Sequence, residues 1–140
     1  MSVFLYFLLL QNTDFCSCTP LGPIDDKQYN EYGLIIKGKV VKVTEEKFER
    51  AIYLSIDACY KGTKTKPLVK VISPSESGMC GIFPKKDENW LMFAYTDGKS
   101  YHTNLGTRTK NMNSKAWDYN KEELIADLKF LEAKKQSDNQ

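Results

Sequence analysis

Five stretches of strand-like sequence follow one another along this chain with no helical pattern between them. The clearest spans residues 48–59, where Ile52, Leu54 and Ile56 alternate with Tyr, Ser and Asp residues. Such an alternation with a period of two is typical of a strand with one buried face. The other four predicted strands are residues 33–43, 68–72, 90–95 and 100–103. A doubly wound parallel sheet is excluded, because that fold needs helices between its strands.

The connections between these segments favour antiparallel pairing. Residues 44–47 are short enough to join the first two strands as a hairpin, and Asp97-Gly98 is typical of a second hairpin turn. Gly38, inside the first strand, indicates a bulge or bend. The segment of residues 90–95 is apolar throughout, which predicts burial on both faces.

A helical pattern follows the strands. Leu124, Ile125, Leu128 and Leu131 recur at helical spacing, with Asn120 as N-cap. The pattern predicts a helix to about residue 133, followed by a polar, frayed tail over residues 134–140. We therefore predict a mostly β protein: a five-stranded OB-fold (Greek-key) barrel with a C-terminal amphipathic α-helix.

Composition limits the function classes. The chain has 140 residues, 41% hydrophobic and 27% charged, which suits one globular domain with a core. Its net charge of +2 lacks the strong basic excess of a dedicated nucleic-acid binder. The single histidine, His102, excludes a HExxH zinc helix. The sequence shows no catalytic constellation, so we expect neither enzymatic activity nor a cofactor.

The N-terminus carries eight consecutive apolar residues, 3–10. This run is too short to span a bilayer and suits the apolar region of a signal peptide. No Lys or Arg precedes it, and Thr13-Asp14-Phe15 differs from the usual small-residue cleavage site. We predict that residues 1–15 are a signal peptide, complete or shortened at its start; a buried strand is the alternative. Residues 16–133 are then the exported domain, secreted or held in the periplasm or cell envelope.

Four cysteines remain after cleavage before Cys16. An even number in a small exported domain favours disulfides over a metal site or a catalytic thiol. The four allow three pairings, and a bond between Cys16 and Cys18 would close a strained ring. Each of these two is therefore expected to bond to a distant partner.

Several motifs follow one another in a fixed order. Cys16-Ser17-Cys18 comes first, then Gly38-Lys39-Val40 in the first strand. The later motifs are Tyr60-Lys61-Gly62, residues 69–74, Cys80-Gly81-Ile82-Phe83, residues 90–95 and residues 103–109. Over residues 16–131, this order and spacing resemble the netrin-like domain of the TIMPs, the tissue inhibitors of metalloproteinases. The chain is most similar to short, single-domain TIMP-like proteins of the kind common in bacteria.

The resemblance implies a pairing of the cysteines. In the family, the first cysteine of Cys-x-Cys joins the cysteine before Gly-x-Phe, which here pairs Cys16 with Cys80. The second joins a cysteine in a Thr-x-x-Cys-x-x-Thr stretch, where this chain has Gly106 instead. We predict that Cys18 bonds to Cys59, the remaining cysteine. If it does not, two free thiols remain.

The resemblance also implies a mechanism. In TIMPs, the α-amine and carbonyl of the first cysteine chelate the zinc of the target protease, and the next side chain enters its S1′ pocket. These roles fall to Cys16 and Ser17, with Cys18, Thr19 and Pro20 along the cleft. An α-amine with a pKa of about 8 can lose its proton and bind zinc. The mechanism requires cleavage directly before Cys16, because any preceding residue converts the amine to an amide.

Alternative interpretations remain. The Cys-x-Cys motif can serve only to anchor the N-terminus of a non-inhibitory structural or ligand-binding envelope domain, since fold does not fix function. A zinc site would use Cys16, Cys18, Cys59 and His102. The Cys-x-Cys spacing is shorter than that of zinc knuckles, so we favour a structural or surface role for His102.

A group of lysines is the last candidate. Lys61, Lys64, Lys66 and Lys70 crowd one stretch, near Tyr53 and Tyr60. OB barrels bind single-stranded nucleic acid through such patches, but export and the low net charge favour a solvated strand face. Heparin-like polyanions are a further alternative. We thus expect an exported monomer with no membrane span and no nucleic-acid partner, whose partner is a zinc metalloprotease.

Overall fold

The computed structural model describes residues 21–62, 66–75, 80–113 and 121–138. Its helices are α1 (Asp26–Glu31) and α2 (Lys121–Asp138). Its strands are β1 (Leu34–Glu45), β2 (Glu49–Lys61), β3 (Leu68–Pro74), β4 (Asn89–Thr96), β5 (Tyr101–His102) and β6 (Lys110–Asn111). All five predicted strands are present, each within a few residues of its predicted bounds.

Five strands close into a barrel. β1 pairs antiparallel with β2, and β2 with β3. β3 runs parallel to β5, β5 pairs antiparallel with β4, and β4 returns to β1. This closed, five-stranded arrangement with a C-terminal helix confirms the predicted OB-type barrel. The short β6 pairs with the beginning of β4.

Gly38 allows β1 to bend while it pairs with two strands. The β1–β2 register shifts between Lys37 and Gly38, which confirms the predicted irregularity. A Cβ atom at Gly38 would lie 2.7 Å from the carbonyl oxygen of Ser55 on β2. Only glycine fits this close approach of two backbones.

The core has two layers. The first fills the barrel and includes the inward-facing Ile52 and Leu54 of β2. The second lies outside β1 and β4 and contains Ile35, Leu91, Phe93, Leu124 and Leu131. Because α2 covers this outer surface, Trp90 to Ala94 of β4 are all buried, which confirms the prediction for these five residues. The prediction is wrong for Tyr95 at the end of the run, which is 40% exposed.

The helix α2 continues to Asp138, so the prediction of a frayed segment from residue 134 is wrong for the described part of it. Contacts of the last turns explain the extension. The Nζ of Lys134 lies 2.7 Å from the Oδ1 of Asp26, and it also lies 5.1 Å from the ring centroid of Tyr29. Lys135 lies over the ring of Tyr60. Sequence periodicity carries no signal for these tertiary contacts. The predicted N-cap, Asn120, lies outside the described residues.

Candidate protein-interaction site around Cys80

All five predicted inhibitory residues lie outside the part of the chain that the structure describes. They are Cys16, Ser17, Cys18, Thr19 and Pro20. The zinc chelate and the Cys16–Cys80 and Cys18–Cys59 bonds therefore stay predictions. The structure does place the two distal cysteines, Cys59 and Cys80.

Cys59 and Cys80 lie in different surroundings. Cys59 is near the end of β2, where it is half-buried, pairs in register with Ile36 of β1 and packs against the barrel core. Cys80 begins the segment that leads to β4, and its φ of 66° is in the left-handed region that few non-glycine residues adopt. This conformation fixes the direction in which the chain leaves Cys80.

Three hydrogen bonds hold the segment of residues 80–83 against the barrel. The backbone N–H of Leu105 donates to the carbonyl of Cys80 over 2.9 Å. The N–H of Ile82 donates to the Oγ of Ser73 over 2.9 Å, and the Nη1 of Arg50 donates to the carbonyl of Ile82 over 2.7 Å. Since the partners come from β2, β3 and the loop after β5, the segment is fixed from three sides.

Arg50 is the central support of this segment. It is buried, and its Nη2 lies 2.7 Å from the Oε1 of Glu45, which offsets the cost of burying the charge. Its guanidinium carbon lies 4.2 Å from the ring centroid of Phe83. This cation–π contact positions the Phe83 ring on the surface.

An exposed apolar groove lies beside Cys80. Ile82, Phe83, Trp90 and Leu105 line a volume of about 270 Å³, with Lys110 and Asn111 among its polar residues. Phe83 is 51% exposed and Leu105 46% exposed. Clustered exposed apolar side chains with polar neighbours are typical of a surface that contacts another protein.

Arg108 and Thr109 anchor the segment after β5 to two different parts of the structure. The Oγ1 of Thr109 donates to the carbonyl of Phe93 over 3.0 Å and accepts from the N–H of Phe93 over 2.9 Å, which ties the segment to the barrel. Arg108 instead faces the helices. Its Nη2 and Nε donate to the two carboxylate oxygens of Asp127 on α2, over 2.7 and 3.1 Å.

His102 is a surface residue, in agreement with the role favoured from the sequence. Its side chain is 42% exposed. Its Nε2 lies 3.2 Å from the Oγ of Ser100 and 3.6 Å from the Oδ2 of Asp97. The backbone amides of Ser100 and Lys99 and the nearby imidazole hold the pKa of the Asp97 carboxyl below its usual range. The histidine, at the end of β5, thus contacts the hairpin turn between β4 and β5.

The lysines that crowd one stretch of sequence do not share one surface. Lys61 faces α1, where its Nζ donates to the carbonyl of Tyr29 over 3.0 Å. Partial burial there lowers the pKa of Lys61. Lys66 and Lys70 are exposed and lie together along a second groove, while Lys64 lies outside the described residues. Lys61 therefore belongs neither to a shared basic patch nor to the solvated strand face that the sequence favoured for these lysines.

Arg50 was not among the residues predicted from the sequence to form a site. A signal was available, because Arg50 is in phase with Ile52 and Leu54 in the alternation of β2. A charged residue on the buried phase of a strand must find polar partners inside. Leu105 carried no such signal, since its exposure depends on the loop conformation.

Searches for related proteins return no match: no protein-family model and no curated protein matches this chain. Across residues 21–62, 66–75, 80–113 and 121–138, no helix is long and apolar enough to cross a membrane. Within the same ranges, no group of three His, Cys, Asp or Glu side chains is arranged to hold a metal ion.

Proposed function

We propose that this chain is an exported, partner-binding domain that inhibits a zinc metalloprotease through the α-amine and carbonyl of Cys16. The observation that carries the proposal is the exposed apolar groove beside Cys80. The closed barrel with a C-terminal helix supports it further, because this is the fold that the TIMP resemblance implies.

The proposed disulfide would bring the N-terminus to this groove. A bond from Cys16 to Cys80 would hold the chelating amine next to a segment that Ser73, Arg50 and Leu105 already fix. A chelator held rigidly loses less conformational entropy when it binds. The same rigidity would orient Phe83 and Leu105 toward the protease.

The apolar groove would provide contacts that the N-terminal residues lack. Ser17 is small and polar, so it buries little apolar surface in an S1′ pocket. Burying one exposed large apolar side chain contributes roughly 1.5–3 kcal/mol. We therefore expect Phe83 and Leu105 to supply more of the binding free energy than Ser17.

The decisive experiment changes only the N-terminus. Mass spectrometry identifies the first residue of the exported protein, which is then assayed against a panel of zinc metalloproteases beside a variant with one extra Ala before Cys16. We expect the form that begins at Cys16 to inhibit and the extended form to lose inhibition, because its first nitrogen is an amide. Equal inhibition by both forms, or none by either, would contradict the mechanism.

A second experiment tests the groove. We expect Phe83→Ser to weaken inhibition about tenfold or more, since an anchoring aromatic side chain contributes about 1.4 kcal/mol or more to an interface. Ile125→Ser is the matched control, because Ile125 is 55% exposed on α2. Circular dichroism verifies that both variants are folded. An equal effect of the two substitutions would remove the groove from the interface.

The alternative function is a non-inhibitory envelope domain in which the Cys-x-Cys motif only anchors the N-terminus. It predicts that neither form inhibits any protease and that Phe83→Ser has no effect in the same assays. Thiol alkylation of the exported protein counts the disulfides and tests the Cys18–Cys59 prediction. The second groove, which is basic, is the observation that favours a ligand-binding role.

A further inference from the structure

A basic groove opens where two barrel strands diverge. β3 and β5 pair only at Val71–Tyr101 and Ile72–His102 in the described chain. Before these pairs, residues 66–70 separate from the β4–β5 turn and leave a groove of about 530 Å³. Tyr53 of β2 also lines it, so the groove extends from the outer face of β2 and β3 to the short ladder that closes the barrel.

The lining of this groove has one sign of charge. Lys66, Lys70 and Lys99 line it, and no Asp or Glu is among its described lining residues. All three lysines are exposed, and none forms an ion pair with a described carboxylate. Three ammonium groups around one concave surface repel each other, and a bound anion would relieve this repulsion.

Two tyrosines accompany the lysines. Tyr53 is opposite Lys70 in the β2–β3 register and opposite Lys42 in the β1–β2 register, so the three form a row across the outer face. The Nζ of Lys42 lies 5.7 Å from the ring centroid of Tyr53. Tyr101 lines the groove on the β5 side and also packs against the barrel core. The groove thus combines cationic and aromatic surface.

The wall that carries Lys99 is rigid. The Oδ1 of Asp97 accepts hydrogen bonds from the N–H groups of Lys99 and Ser100, each over 2.8 Å. The Oγ1 of Thr96 accepts from the N–H of Gly98 over 3.0 Å, and Gly98 has a φ of 92° that a side chain would disfavour. Since the turn is held by its own side chains, little ordering entropy is lost when a ligand binds there.

We propose that this groove binds an anionic oligosaccharide, a short glycan that carries carboxylate or sulfate groups. The three ammonium groups would pair with the anionic groups, and the two tyrosines would pack against the apolar faces of the sugar rings. The outer face of the second and third strands is a surface on which OB barrels hold oligosaccharides. This site shares no lining residue with the groove beside Cys80, and the proposal does not depend on protease inhibition.

The surroundings of the tyrosines favour a glycan over single-stranded nucleic acid. Successive bases need open aromatic planes on which to stack. Here the ammonium of Lys42 lies near the ring of Tyr53, and Tyr101 is partly packed against the core. Neither ring offers an unobstructed platform, whereas a sugar needs only a partial contact.

The test measures binding of defined probes to the exported protein by titration calorimetry. The probes are a short sulfated heparin oligosaccharide, a short polygalacturonate, a neutral dextran of similar size and single-stranded oligothymidine. We expect at least one anionic oligosaccharide to bind more tightly than the other probes. Its affinity should fall as salt rises from about 50 to about 200 mM, because salt screens exposed charges.

Charge-matched variants locate the site. We expect Lys66→Gln, Lys70→Gln and Lys99→Gln together to weaken oligosaccharide binding about tenfold or more, from the loss of three exposed ion pairs. The control changes three exposed lysines outside the groove: Lys85→Gln, Lys86→Gln and Lys129→Gln. The control protein has the same net charge and should bind within about twofold of the unchanged protein.

Three results would overturn the proposal. They are the absence of binding to both anionic oligosaccharides, an equal loss of affinity in the two triple variants, and tighter binding of oligothymidine than of either oligosaccharide. The last result would assign the groove to nucleic acid. None of these measurements uses a protease, so they stand whether or not the chain inhibits one.

Discussion

Arg108 shows how much of this fold depends on a single side chain. It is fully buried, and so is its partner Asp127. Its Nη1 also donates to the carbonyl of Gly22 over 2.8 Å and to the Oε1 of Gln28 over 2.7 Å. One guanidinium therefore joins the segment before α1, α1 itself and α2. The geometry satisfies the charge fully, as a buried ion requires.

Removal of Asp127 should lower the free energy of unfolding far more than removal of a surface ion pair does. We expect Asp127→Ala to lower the free energy of unfolding by about 3–5 kcal/mol, because the buried Arg108 keeps as its described carboxylate partner only the partly exposed Glu123, 3.4 Å away. The control is Lys39→Ala, which breaks the exposed pair with Asp87. It should cost less than about 1 kcal/mol. Urea unfolding of both variants measures the difference, and similar losses would contradict a dominant role for the buried pair.

At the scale of elements, α2 contacts β2 through a tyrosine. The hydroxyl of Tyr60 donates to the Oε1 of Glu132 over 2.8 Å. Burial and this carboxylate raise the pKa of Tyr60 well above its ordinary value of 10.0. Burial and the neighbouring Tyr95 raise the pKa of Tyr32 to about 12. Both phenols favour the neutral form in the folded protein.

These pKa shifts predict a loss of stability at alkaline pH. Above about pH 10 the unfolded chain releases the phenol protons while the folded chain keeps them, so each increase in pH favours unfolding. We expect Tyr60→Phe to remove part of this dependence, because Phe has no proton to lose. The measurement is the free energy of unfolding of both proteins at several pH values between about 9 and 11. Identical pH slopes would exclude Tyr60 as a contributor.

The larger elements could be predicted from the sequence, and the small ones could not. The alternation around Ile52 and Leu54 predicted β2, and the continuous apolar run predicted the burial of β4 on both faces, which holds as far as Ala94. The two-residue strands β5 and β6 are too short for a periodic signal, although β5 fell within a predicted segment. α1 has six residues, and its one local signal is Asp25, whose Oδ1 caps the helix by accepting from the N–H of Gln28.

The two surface sites could be predicted less completely than the larger helices and strands. The lysines near position 66 were identified, but the sequence grouped Lys61 with them because it cannot show that Lys61 faces α1. Lys99 lies about thirty residues after Lys70 in the sequence, and it reaches the basic groove only because the β4–β5 turn places it there. The Cys80 motif was recognised from the resemblance, whereas the contact of Arg50 with Phe83 depends on the barrel that brings them together.

At the scale of the whole molecule, β1 is shared by the two core layers. Its inward residues Leu34 and Ile36 pack inside the barrel, and Ile35 packs under α2. β1 also pairs with both β2 and β4, which closes the barrel. Separation of β1 therefore disrupts both layers at once, and the domain is expected to unfold cooperatively.

Hydrogen exchange tests this cooperativity. We expect the hydrogen-bonded amides of Leu34–Gly38 and Leu91–Ala94 to exchange only through global unfolding, because both core layers cover them. The amides of β5 and β6 should exchange faster, since these ladders hold only two residue pairs with each neighbour. Native-state exchange by NMR measures both sets. Faster exchange in β1 than in β5 would contradict this order.

The ion pair between Arg108 and Asp127 also sets an order of events during synthesis. Arg108 precedes Asp127 by 19 residues, and both described carboxylates near its guanidinium, those of Glu123 and Asp127, belong to α2. A nascent chain that has not yet made α2 leaves this cation unpaired and the outer face of β1 and β4 uncovered. We therefore expect the emerging chain to stay incompletely folded until α2 has left the ribosome, a state that chaperones recognise.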